Sequence, residues 1–167
     1  MIIPIEKLQE LLFSPLGLII SNLHQEPECE DYFGFNFQLN HFQIKFRKAK
    51  ITPTKIGQFV TLWKRNPISK ETEPFTSEDS SDFYLILTET SEHFGFFLFT
   101  KDILIENKIL STDSKEGKRG FRVYPDWDIP QNKQAKKTQN WQTQFFIDCS
   151  QENYLEKFNS ILKSEVK

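Results

Sequence analysis

Apolar and polar residues alternate through much of the middle of the chain, with the period of two that is typical of β-strands. One alternating run covers residues 33–39 and a second covers residues 42–47, with Asn40 and His41 between them. Two such runs separated by two residues predict a β-hairpin. Its phenylalanine and isoleucine side chains would share one buried face, because so large an apolar patch is not stable in water. Lys45 and Arg47 would then point to the opposite face.

Further strands are predicted downstream of this hairpin. Residues 57–64 alternate again, residues 83–87 and 94–99 form a second hairpin pattern, and residues 120–124 form a short strand that Pro125 ends. The intervening segment 66–81 is polar and contains two prolines, which predicts a long loop.

Helical spacing is found mainly towards the two ends. Apolar residues recur every three or four positions in residues 4–13, 131–147 and 151–163. A second short helix is expected after Pro15, up to Leu23. Thr100 is placed to cap a short helix over residues 102–107. The pattern predicts an α+β fold with a mainly antiparallel sheet flanked by N- and C-terminal helices, and with residues 1–167 forming a single domain.

Composition supports a globular protein and places it in the cytoplasm. The 167 residues include 17 phenylalanines and a single methionine, which suits a core built on rigid rings. No run of about 18 apolar residues is present, so no membrane span is expected. The start of the chain lacks the basic and then apolar order of a signal peptide. We therefore expect no contact with a membrane.

Charge is strongly segregated although the net charge is only −2. Residues 41–70 carry eight basic residues and no acidic one, residues 71–92 carry seven acidic residues and no basic one, and residues 115–141 carry seven basic against three acidic residues. The two basic blocks either neutralise the acidic block between them or leave one face positive. The sequence does not decide between these arrangements.

The sequence lacks the motifs by which most enzyme classes are recognised. His24, His41 and His93 lie far from one another and from any cysteine, so their spacing does not predict a zinc site. The chain also lacks the glycine-rich patterns of dinucleotide and P-loop sites and the nucleophile elbow of α/β-hydrolases. We expect no metal and no cofactor, and no catalytic residue can be assigned.

Two basic segments, residues 45–65 and 118–127, mix cations with hydroxyl and aromatic side chains. This mixture suits phosphate groups and stacked bases. If both segments reach one exposed sheet face, they form a cationic, aromatic-lined surface for nucleic acid or a phosphorylated ligand. The candidate binding residues are Lys45, Arg47, Lys50, Thr52, Thr54, Lys55, Lys64, Arg65, Lys118, Arg119, Arg122, Tyr124, Trp127, Gln139 and Trp141. The competing interpretation makes the tryptophans core anchors and pairs Arg119 and Arg122 with the acidic block.

Three strings in this order resemble the MepB family of small bacterial proteins, named after one encoded beside a multidrug efflux pump and its repressor. They are AKITPTKIGQFVTLWKR at 49–65, GKRGFRVYP at 117–125 and KTQNWQ at 137–142. The resemblance covers roughly residues 32–146. The chain departs from the family pattern at Thr100 and Asp126, where proline is usual. The resemblance implies a link to drug response but supplies no agreed activity.

Three functions follow from these patterns. The first is a binding module for nucleic acid or a phosphate ligand, which the basic segments favour. The second is a Mg²⁺-dependent phosphodiesterase or nuclease, with Lys45 as the cation. Its carboxylates would come from Glu30, Asp31, Asp79 and Asp82. The third is a protein-interaction module in a drug-response system, with a partner that meets the aromatic surface around Trp127 and Trp141. A binding protein is favoured over an enzyme.

Overall fold

Eleven β-strands and four α-helices lie within residues 3–165, the part of the chain that the computed structural model describes. The helices are α1 (Ile3–Leu8), α2 (Lys101–Glu106), α3 (Lys133–Gln142) and α4 (Tyr154–Lys163). The strands are β1 (Ile20–Gln25), β2 (Phe35–Leu39), β3 (Phe42–Lys48), β4 (Lys50–Ile51), β5 (Gln58–Thr61), β6 (Trp63–Arg65), β7 (Thr72–Pro74), β8 (Phe83–Glu89), β9 (Phe94–Thr100), β10 (Gly120–Val123) and β11 (Phe146–Asp148).

The main sheet has six strands in the order β1-β2-β3-β8-β9-β11. Its two hairpins, β2–β3 and β8–β9, are those that the alternating pattern predicts. Asn40 takes a left-handed backbone (φ 54°) at the first turn, a conformation that asparagine tolerates better than most residues. All pairs in this sheet are antiparallel except β3–β8, in which Lys45 lies opposite Tyr84.

The chain between β3 and β8 crosses one face of the main sheet. It supplies β4 and β5 to a three-stranded sheet in the order β10-β5-β4, which we call the small sheet. It also forms the β6–β7 hairpin. A parallel pair needs such a crossover, because a tight turn can only reverse the chain. Here the crossover contains short strands instead of a helix.

Apolar side chains fill both faces of the main sheet. On one face, Phe46, Leu85 and Leu98 pack with residues of α1 and α4 such as Leu8 and Phe158. On the other face, a second apolar cluster lies beneath the small sheet, and its members include Ile86, Phe97, Phe99, Leu104, Phe121 and Val123. The main sheet is therefore covered on both sides over its central strands.

The predicted α+β class, the mainly antiparallel sheet and the helices at both ends are confirmed. The short helix expected up to Leu23 is wrong, because residues 20–25 pair with β2 as the edge strand β1. The predicted loop 66–81 contains β7. The helix expected over residues 131–147 ends at Gln142, since Phe146 and Ile147 are buried in β11. Among the described residues, no helix is long and apolar enough to cross a membrane.

Candidate nucleic-acid interface

Helix α3 is attached to the free edge of β10 by the side chain of Gln142. This side chain is fully buried. Its Oε1 accepts a hydrogen bond from the Tyr124 amide at 2.8 Å, and its Nε2 donates to the Arg122 carbonyl at 2.9 Å. The opposite edge of β10 pairs with β5. Gln142 therefore satisfies backbone groups that a further strand would otherwise bind.

An elongated groove runs between β10 and α3, and we call it the α3 groove. It consists of two neighbouring cavities of about 430 and 530 Å³ that share Arg122, Tyr124, Gln134 and Thr138. Asn132 caps the first turn of α3 by accepting a hydrogen bond from the Ala135 amide at 2.8 Å. The cap fixes the start of the helix that forms one wall of the groove.

The charged side chains that line the α3 groove are mainly positive. Lys108, Lys118, Arg122 and Lys137 line it together with Lys55, against one carboxylate, Glu106. Within residues 3–165, none of these five cations forms an ion pair. Their charges are therefore available to an anionic ligand.

Arg122 and Tyr124 lie where the two cavities meet. Arg122 donates one hydrogen bond to the Ile56 carbonyl and one to the Thr52 hydroxyl. A guanidinium has five N–H donors, so three of them have no partner among the described residues. Tyr124 packs against the backbone of Gly57, where an added Cβ would come within 2.7 Å of the ring. Gly57 also has a positive φ of 85°, which only glycine adopts without strain.

Six of the candidate binding residues line the α3 groove. They are Thr54, Lys55, Lys118, Arg122, Tyr124 and Trp141. The two basic segments thus meet at the small sheet and α3, and not at the face of the main sheet. The pairing of β10 with β5 causes this, since it places residues 120–123 beside residues 58–61.

Lys45 and Arg47 are buried, and the expectation that they lie on a water-facing surface is wrong. Arg47 is 0% exposed and Lys45 is 6% exposed. Both donate to the Glu26 carboxylate, Lys45 Nζ at 2.8 Å and Arg47 at 2.9 and 3.0 Å. Lys45 also lies 4.1 Å from the centre of the Phe75 ring. Burial lowers the pKa of Lys45, although the charge of Glu26 opposes this shift.

Three other candidate cations have partners within the fold. Lys64 pairs with Asp79 at 2.8 Å, and Arg65 pairs with Glu28 at 2.8 Å. Arg119 donates to the backbone carbonyl and the hydroxyl of Thr72, and it also pairs with Glu116 at 3.4 Å. The side chains of Arg65 and Arg119 stay partly exposed, but their charges are directed at neighbours in the protein.

The remaining candidates lie beside the groove or elsewhere. Thr52 accepts the hydrogen bond from Arg122, and Lys50 lies 4.7 Å from the Tyr32 ring. Trp127 is stacked on His93 with 4.6 Å between ring centres. Gln139 donates to the carbonyls of Pro125 and Asp128. It thereby secures the loop that leads to the groove-lining residues Pro130, Gln131 and Asn132.

Sequence reasoning missed Lys108, Gln134, Lys137 and Thr138 as lining residues. For three of them a signal exists, because residues 134, 137, 138 and 141 have the spacing of one helix face and Trp141 was already a candidate. Lys108 follows α2 and comes from a part of the chain with no basic run. Only the tertiary structure brings it to the groove.

The carboxylates considered for a Mg²⁺ site serve other roles or lie apart. Asp79 accepts from Lys64 and from the Thr76 amide, and Asp82 accepts from the Gln43 amide. Glu30 and Asp31 are exposed on a single turn that precedes β2. Across residues 3–165, no three His, Cys, Asp or Glu side chains come together in an arrangement that could hold a metal ion.

The fold and the groove define a small α+β protein whose cationic cleft lies between a three-stranded sheet and a helix. The profile of the MepB-like family matches residues 26–148. The chain belongs to the MepB-like family. The structure is similar to the crystal structure of MepB, with a TM-score of 0.77 and 35% identity over 80% of this chain and 89% of that one.

A second solved structure is similar over a comparable length. It is the bacterial homing endonuclease I-Ssp6803I, with a TM-score of 0.48 and 13% identity over 91% of this chain and 84% of that one. No curated protein matches.

Proposed function

We propose that the protein binds nucleic acid, with phosphate groups held in the α3 groove. The observation that supports this most directly is the charge of the groove. Five cations and one carboxylate line it, and the cations have no ion-pair partner within residues 3–165. Phosphate contacts by Lys and Arg supply most of the affinity of proteins for nucleic acid.

The shape of the groove favours a polymer over a small phosphorylated molecule. Lys55 lines only one of the two cavities, Lys108 lines only the other, and Arg122 lines both. A single phosphate would engage only one part of this arrangement, whereas successive phosphates of a strand would engage all of it. Because the net charge is −2, this attraction does not come from an overall positive charge of the protein.

The proposal places the activity in the cytoplasm and needs neither a metal nor a cofactor. No observation favours the Mg²⁺-dependent phosphodiesterase, and that alternative stays an untested prediction. The same holds for a protein-interaction module around Trp127 and Trp141. Both side chains are half-buried, and Trp127 is covered on one face by His93.

The test compares two neighbouring lysines of α3. Lys137 lines the groove, whereas Lys136 is exposed and does not line it. Binding of a fluorescein-labelled oligonucleotide is measured by anisotropy for the wild type, Lys137→Gln, Lys136→Gln and the double variant Lys118→Gln/Lys137→Gln. We expect several-fold weaker binding for Lys137→Gln, further weakening for the double variant and less than a twofold change for Lys136→Gln.

Equal effects of Lys136→Gln and Lys137→Gln would show that the affinity depends on the charge of the whole protein and not on the groove. Undiminished affinity of the double variant would refute the proposal. Thermal unfolding of each variant checks that the fold is retained, which we expect because none of the three lysine side chains forms a hydrogen bond with another described residue.

A further inference from the structure

The position of Tyr124 points to the kind of nucleic acid that the α3 groove accepts. We infer that the groove binds single-stranded nucleic acid, with one base stacked on the Tyr124 ring. This inference rests on the proposed function, and it adds a stacking site and a preference between single and double strands.

Tyr124 is held in place from several directions. Its amide donates a hydrogen bond to Gln142, and its ring packs against the Gly57 backbone. The next residue in the chain is Pro125, whose backbone is restricted. The Tyr124 ring lines both cavities and is half-buried, so one part of it is fixed by the protein while another part is open to the groove. A fixed ring loses little conformational freedom when a ligand stacks on it, which favours binding.

The charges around the ring suit a strand that passes over it. Arg122, two residues before Tyr124, has three donors without a partner among the described residues. Lys55 lines one of the two cavities that the ring lines, and Lys118 and Lys137 line the other. A basic groove that contains an aromatic side chain is the combination with which proteins bind the phosphates and bases of a single strand.

A duplex does not suit this site. Its bases are stacked on each other and paired, so no base face is available to a ring that lines a groove. The wall formed by α3 has 10 residues and a length of about 15 Å, so the groove accommodates only a short stretch of a strand.

The experiment separates the stacking site from the charge of the groove. Affinities for a single-stranded oligonucleotide and for a duplex of the same sequence are measured with the wild type, Tyr124→Phe and Tyr124→Leu. We expect tighter binding to the single strand, wild-type affinity for Tyr124→Phe and about tenfold weaker single-strand binding for Tyr124→Leu. Duplex binding should change little in either variant.

A second measurement does not depend on the stability of the variants. A single strand that contains 5-bromouracil is irradiated in complex with the wild-type protein, and the cross-linked peptide is identified by mass spectrometry. We expect the cross-link at Tyr124. A cross-link outside the groove, or equal effects of Tyr124→Leu on single strand and duplex, would overturn the inference.

The two proposals fail in different ways. If Lys118→Gln/Lys137→Gln weakens binding but Tyr124→Leu does not, the stacking site is wrong and the proposed function stands. If neither variant weakens binding, both proposals are wrong.

Discussion

At the scale of single residues, the burial of Lys45 and Arg47 is the strongest departure from the charge pattern. Two cations on the inner face of a sheet are tolerated because one carboxylate, Glu26, accepts hydrogen bonds from both. Removing one partner of such a group leaves the other charges buried without compensation. Glu26, Lys45 and Arg47 therefore stabilise the fold and are not part of the binding surface.

Glu26→Gln should destabilise the protein by about 3 kcal/mol, because Lys45 and Arg47 would lose their carboxylate while they stay buried. Urea unfolding at neutral pH measures the change. Glu28→Gln is the matched control, since Glu28 forms an exposed pair with Arg65. We expect little change for Glu28→Gln, and similar losses for the two variants would contradict the role given to Glu26.

The contribution of Glu26 should also depend on pH. Burial raises the pKa of Glu26, but the hydrogen bonds and charges of Arg47 and Lys45 outweigh burial and hold it below the ordinary value of 4.5. A carboxylate with a lowered pKa in the folded state stabilises the fold fully above its unfolded pKa. This stability is lost as the pH falls through the folded pKa.

The stability difference between wild type and Glu26→Gln should accordingly be constant from pH 7 to about pH 5 and should shrink at lower pH. Urea midpoints of both proteins across this range measure it. A difference that grows as the pH falls would contradict the sign of the shift.

At the scale of elements, the contact between α3 and β10 holds together two walls of the α3 groove. A single amide side chain, Gln142, supplies both hydrogen bonds across this contact. Few other residues can replace it, because the site needs one acceptor and one donor on a planar group. Gln142 is the last residue of the string 137–142, which is one of the three strings that resemble the MepB family.

Gln142→Leu should lower stability by about 2 kcal/mol or more, because the Tyr124 amide and the Arg122 carbonyl would be buried without partners. Hydrogen exchange should become faster at the Tyr124 amide in particular. Gln144→Leu is the control at the same helix end, since Gln144 is exposed. Unchanged exchange at Tyr124 in Gln142→Leu would contradict this account.

Asn132→Ala should cost about 1 kcal/mol, because the first turn of α3 would lose its cap. Asn132→Asp, which keeps an acceptor for the Ala135 amide, should retain the stability. Thermal unfolding of the two variants measures the difference. Equal losses in both would show that the hydrogen bond to Ala135 is not the source of the effect.

At the scale of the whole molecule, the five cations of the α3 groove predict how the binding of nucleic acid responds to salt. For a single strand, the logarithm of the affinity falls by about 0.7 per phosphate contact for each unit of log salt. Five contacts give a slope of about −3.5, and the three contacts left in Lys118→Gln/Lys137→Gln give about −2. Anisotropy titrations between 50 and 300 mM salt measure both slopes. An unchanged slope would show that these lysines contact no phosphate.

The sequence predicts local features of this molecule better than features that depend on distant parts of the chain. Both hairpins, the Thr100 cap and the terminal helices follow from periodicity and capping residues within short windows. The strand at residues 20–25 does not, because only its pairing with β2 makes it a strand. In the groove, Arg122 and Tyr124 were predictable from the basic segment, whereas Lys108 was not. The burial of Lys45 depends on Glu26, which lies in a segment that has no regular pattern.

The parallel pairing of β3 with β8 affects the order in which parts of the chain fold. Each hairpin on either side of it can form from neighbouring residues, but Ile44 meets Phe83 only after the whole intervening segment has closed into a loop, at a considerable entropic cost. We expect the amides of β3 and β8 that bond the two strands to each other to gain protection from exchange in the slowest refolding step, after those within the hairpins.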